Sequence, residues 1–170
     1  MEYEIRSDYR AILDICAALS DPELDSQERA TVALTIFYPA LETIPHRHYE
    51  EAVEKCMRFI GGGGESAPHK APKLVDWEQD FQYIVAPINR VMGREVRAVE
   101  YLHWWTFLAA YYEIGECTFA QIAHIRDKLS RGQPLDKTDR EWYRRNRELV
   151  DFKRKYTGAE DELVKKWGGG

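Results

Sequence analysis

The chain has 170 residues, 44% hydrophobic and 12% aromatic, enough apolar side chain for one folded core, which excludes an intrinsically disordered polypeptide. Its net charge is -5, and the charge is segregated: residues 1–125 hold 11 basic and 20 acidic groups, residues 126–155 hold 11 and 6. The most apolar run, Trp104 to Tyr112, falls short of the roughly 20 residues needed to span a bilayer, so no membrane segment is expected.

The start, Met1-Glu2-Tyr3-Glu4, lacks the basic and apolar regions of a secretion signal, so export is not indicated. Tyr9, Ile12, Leu13, Cys16, Ala17 and Leu19 recur at three- and four-residue spacings, predicting a first helix that stops near Ser20. Asp21-Pro22 follows as a cap and a proline. Asp25-Ser26-Gln27-Glu28 is a capping box, opening a second helix through Val32, Ile36 and Phe37 to Pro39. A third helix is expected from His48 to Ile60 with Ala52, Val53, Cys56 and Phe59 inward. Gly61 to Gly64 end it, and the Gly- and Pro-rich stretch 61–72 is predicted to be a flexible loop.

Asp76 caps a fourth helix carrying Trp77, Phe81, Ile84, Val85, Ile88 and Val91, with Pro87 expected to kink it and Gly93 to stop it. From Val96 to Ile114 the residues are apolar around nearly the whole helical wheel, which predicts a central core helix, or one that also touches a partner. Thr118 with Gln121 predicts a capping box before Phe119, Ile122, Ile125 and Leu129, with Gly132 closing that helix. Thr138 with Glu141 opens the last helix, whose stripe of Trp142, Tyr143, Leu149, Val150 and Phe152 is thin and interrupted at Asn146. No segment alternates apolar and polar residues between hairpin turns. The expected fold is all-α, a compact multi-helix single domain of six to seven helices over residues 1–155, with a poorly ordered tail at 156–170.

Few residues signal chemistry. Cys16, Cys56 and Cys117 are odd in number and widely spaced, which fits small buried hydrophobes rather than disulfides or a zinc ribbon. Glu100-x-x-His103 matches half of a di-iron bundle motif, but no second E-x-x-H exists. His46-x-His48 would point its rings apart on a helix. Gly61 to Gly64 follow a helix rather than open one, unlike a phosphate loop. The stretch Arg140, Arg144, Arg145, Arg147, Lys153, Arg154 and Lys155 could track phosphates, yet the acidity of the chain opposes nucleic-acid binding. No catalytic, cofactor or metal site is expected, and the chain reads as a binding protein rather than an enzyme.

Trp77, Phe81, Trp104, Trp105, Trp142 and Tyr143 are the candidate protein interface, because aromatics couple large apolar area to a polar handle. Arg140, Arg144 and Arg147, read as one helix face, are the candidate charged surface for head-to-tail self-association with the acidic remainder of the chain.

The stretches YRAILDICAALSDPELD, ALTIFYP, DWEQDFQYIVAPINRVMG, YLHWWTFLAAYYEIG, CTFAQIAHIRDKLSRGQPLDK and YRRNRELVD together resemble a family of small proteins from long-tailed bacteriophages and prophages of Gram-positive bacteria, encoded beside the tail genes. The resemblance covers most of residues 9–152 but neither the 61–72 loop nor the tail after Tyr156. It implies a tail assembly chaperone that coats the long, aggregation-prone tape measure protein in the host cytoplasm and is absent from the mature virion; the charge split adds the expectation of a homo-oligomer. In many phages such a chaperone is also made in a longer form by ribosomal frameshifting, and Trp167-Gly168-Gly169-Gly170 is compatible with a junction of that kind. The alternatives are a minor structural or tail-completion protein of the virion and a metal-dependent helical-bundle enzyme.

Overall fold

A computed structural model of the chain describes residues 2–64 and 72–153. They hold eight α-helices and no β-strand, so the fold is all-α. The expectations for the rest of the 61–72 loop and for the tail lie outside the described residues. The chain divides into two compact units, which meet between Gly63 and Gly64 in sequence.

In the first unit, α1 (Tyr9–Leu19) starts at Asp8, whose carboxylate accepts from the Arg10 amide. After a turn in which Asp21 accepts from the Glu23 amide, α2 (Ser26–Phe37) opens on the expected box: Asp25 accepts from the Gln27 and Glu28 amides, and Glu28 accepts from the Asp25 amide. The side chains that α2 buries are Ala33, Leu34 and Phe37, while Val32 and Ile36 are half-buried. A 3-10 turn at His46–His48 leads into α3 (Tyr49–Ile60), which buries Ala52 and Cys56, while Val53 and Phe59, expected inward with them, are half-buried. The Phe37 ring lies 5.3 Å from Phe59, and the Tyr38 hydroxyl donates to the Ala52 carbonyl, joining the end of α2 to α3. Tyr9, Ile12, Ile15 and Ile44 are buried as well.

The second unit begins with α4 (Trp77–Met92), capped by Asp76 and stopped by Gly93 at φ +66°, a left-handed conformation that glycine adopts without a Cβ penalty. It is a single helix through the buried Pro87. The long core helix expected from Val96 does not form as one element. Val96–Ala98 is a 3-10 turn, and α5 covers only Trp104–Tyr112. The cause is polar. The Asn89 carboxamide accepts from the Val96 amide at 2.8 Å and donates to Glu95, which takes the place of a helical i−4 carbonyl. Glu95 also accepts from the backbone and guanidinium of Arg97, which holds its carboxyl down at about 2. His103 then caps α5 by accepting from the Trp105 amide through Nδ1.

Two further helix starts differ from expectation. α6 (Thr118–Ser130) is capped by Cys117 through its sulfur, not by Thr118, because the Gln121 carboxamide is drawn off to donate to Asp139. α7 (Lys137–Arg145) is capped by Asp136, which accepts from the Asp139 amide two residues before the Thr138 start; aspartate is the stronger N-cap. Asn146 breaks the last helix, donating its side chain to the Trp142 carbonyl, and a short α8 (Arg147–Val150) follows.

α6 buries Phe119, Ile122, Ile125 and, on the same stripe, Arg126, while Leu129 near its end is exposed. Arg126 meets Asp80 of α4, and both are essentially out of solvent. The pair is bidentate: Nη1 and Nη2 donate to the two carboxylate oxygens at 2.6 and 3.1 Å. The remaining three N–H groups donate to the carbonyls of Val150, Leu74 and Leu149. All five guanidinium donors are thereby used, and the Phe152 ring covers the guanidinium carbon at 4.1 Å. Asp80 also accepts from the Asp76 amide, which ties the pair to the start of α4. Replacing Asp80 by alanine strands this guanidinium without its counter-ion, and the expected loss is about 3–5 kcal/mol, read as a lower midpoint in urea unfolding at neutral pH.

Candidate functional site

α5 has two apolar faces. Trp104, Phe107 and Leu108 are buried and the half-buried Tyr111 joins them, with Trp77 of α4 set against Trp104, Phe107 and Tyr111 at ring separations of 5.9, 6.1 and 5.1 Å. Phe81 stacks on Phe107 from the same helix. Trp105, Ala109 and Tyr112 fall within about 60° of one another on the wheel at spacings of four and three, and all three are exposed, Trp105 by 44% and Tyr112 by 70%. A short helix that is apolar on both sides and covered on one presents the other as contact surface.

The six candidate interface aromatics therefore lie in different settings. Trp104 is 1% exposed and has no area to offer. Trp77, Phe81, Trp142 and Tyr143 are half-buried, and the Tyr143 hydroxyl donates to Asp151 at 2.7 Å. Trp105 is the exposed one of the six, and the structure adds Tyr112, which sequence reading passed over. The i, i+7 relation of these two residues inside an all-round apolar run was the available signal.

The charged candidates also separate. Arg140 and Arg144 are one turn apart on α7 and exposed. Arg147 does not share their helix, because the backbone breaks at Asn146; it lies on α8 and pairs with Asp151. Beneath α7, Asp139 is 6% exposed and is held by Lys128 at 2.6 Å, Gln121 at 3.0 Å and His124 at 3.2 Å. The Lys128 ammonium, then the Gln121 and His124 bonds, keep its carboxyl below the usual carboxylate range.

Residues read as possible metal ligands are not arranged as the motifs would require. Glu100 and His103 precede α5 and lie in no helix, so the i, i+3 premise fails. His46 packs on Tyr49 and His48 faces Tyr3. Among the described residues, no group of three or more metal-capable side chains gathers, and no helix is long and apolar enough to cross a membrane. Burial raises the Cys16 thiol to about 11 and the Cys56 thiol to about 12, so both stay protonated at neutral pH. Cys117 is not a buried hydrophobe but a half-exposed helix cap.

The fold and this surface define the chain as an all-α protein in which the short helix α5 carries two exposed aromatic side chains on its outer face. Residues 1–152 match the family described as Bacteriophage Gp15 protein, and the chain belongs to that family. It is thus a bacteriophage-type protein, of a family that suggests a part in phage structure or assembly. Neither the curated proteins nor the solved structures contain a significant match to it.

Asp139 gives the region a pH signature. A carboxyl depressed on folding stabilises the protein above its unfolded value near 3.8, and that contribution disappears as pH falls through the lower folded value. Asp139→Asn should accordingly lower the thermal midpoint at pH 7, with the gap to the native chain closing below about pH 4, as followed by circular dichroism.

Proposed function

We propose that the chain is a tail assembly chaperone that binds the tape measure protein and keeps it soluble while the tail tube assembles. The observation that carries this reading is the outer face of α5. A tape measure protein is long and helical and exposes apolar stripes before the tube encloses it, so its chaperone must cover them with apolar surface of its own. Trp105 and Tyr112 present that surface one above the other, two turns of helix apart. Covering their exposed parts against an apolar helix is worth on the order of 5 kcal/mol before the entropy of association is subtracted.

In this reading the chain is not an enzyme, holds no cofactor or metal, works in the cytoplasm of the bacterial host and leaves before the virion is complete. Membership of a bacteriophage protein family supports the setting, and the two-faced α5 supports the mode of action.

The test is co-expression with a tape measure protein from a phage tail gene cluster that carries this chain's gene. The native chain should raise the soluble fraction of that protein several-fold. A Trp105→Asp/Tyr112→Asp variant that retains native helicity should lose most of the gain. A tape measure protein that stays as insoluble with the native chain as without it would overturn the reading, as would recovery of the chain as a stoichiometric component of purified virions.

A further inference from the structure

On α7, the charged residues that turn outward are Lys137, Arg140, Glu141, Arg144 and Arg145. Asp139 points inward to Lys128, Gln121 and His124, and Asp151 is taken by Tyr143 and Arg147, which leaves Glu141 as the one acid of α7 to set against four outward cations. Arg140 and Arg144 stand one turn apart with like charge, an arrangement that weakens a helix when nothing answers it. Arg140 has one acceptor, the Leu135 carbonyl. Folding therefore concentrates positive charge on this face beyond what the sequence order implies.

The first unit carries the complement. On α3, Glu50 and Glu54 are exposed and also one turn apart. Their neighbours on the helix do not neutralise them. Lys55 is engaged by Glu51 at 2.7 Å, and Arg58, one turn after Glu54, donates instead to the Gly63 carbonyl. The two faces thus offer a carboxylate pair and a guanidinium pair at the same i, i+4 spacing, which is the spacing at which two helices laid side by side can make both pairs together.

We propose that a second copy of this chain is the partner for which these faces are shaped, α3 of one copy docking on α7 of the next through Glu50, Glu54, Arg140 and Arg144. The two faces are different surfaces of one polypeptide, so the contact closes only as a reciprocal dimer or ring and otherwise propagates as a chain of copies. Exposed ion pairs make such an association weak and sensitive to salt, a property suited to subunits that must separate again.

Sedimentation velocity of the full chain at low and high ionic strength tests this. The native chain should associate at low salt, with the association constant falling at least about tenfold when the Debye length is cut from roughly 30 Å to a few ångströms. Glu50→Lys/Glu54→Lys and Arg140→Glu/Arg144→Glu should each be monomeric at low salt while keeping native helicity. The fourfold variant carrying both reversals should associate again. A native chain that is monomeric at low salt overturns the proposal, and so does a fourfold variant that folds but does not recover association. Retention of fluorescent duplex DNA by a monomeric native chain would overturn it in favour of a polyanion as the ligand of α7.

Discussion

The second unit depends on one buried ion pair. Taking an arginine and an aspartate out of water costs several kcal/mol per ion, and the pair survives only if geometry and hydrogen bonding offset that cost almost completely. Here they do: Asp80 binds two guanidinium nitrogens, three backbone carbonyls take the other N–H groups, and an aromatic ring covers the flat face. Among the described residues no buried side-chain nitrogen or oxygen is left without a partner. A hydrophobic contact would tolerate sliding. This one does not, because a small displacement of α4 against α6 would break several directional bonds at once.

That rigidity matters for the face that α5 shows to solvent. α5 has nine residues, too few to be stable alone, and it is held in place by Trp77 and Phe81 from α4. α4 is in turn anchored at its start by Asp80 and Asp76. The exposed Trp105 and Tyr112 thus project from a short helix braced by its neighbours rather than from a loop. A surface fixed in advance loses less entropy on binding than one that must be ordered by its partner.

Much of the fold was legible in the sequence. The bounds of α1, α2, α3 and α4 followed from apolar spacing, the Asp25–Glu28 box, Asp76 and the glycines. Legibility failed where side chains bind across distances that a local window does not see. Asn89 dismantles the helix expected at Val96, and Asp139 removes Gln121 from its expected capping role. Both effects depend on residues brought together by folding. The Arg126–Asp80 pair went unread although each charge interrupts an otherwise apolar stripe, Asp80 between Trp77 and Ile84 and Arg126 beside Ile122 and Ile125. Two opposite charges on inward faces of different helices are a readable sign of a buried pair. Of the candidate surface, the apolar all-round character of 104–112 was visible, but which side faced outward was decided by α4.

The carbonyls gathered by Arg126 carry a topological consequence. Leu74 lies just ahead of α4, and Leu149 and Val150 lie at the close of α8. One guanidinium holds both, so the polypeptide enters and leaves the 74–150 segment at neighbouring points. Such an arrangement is that of a cassette, whose two ends could be joined to each other and new ends opened in an outer turn without disturbing its interior.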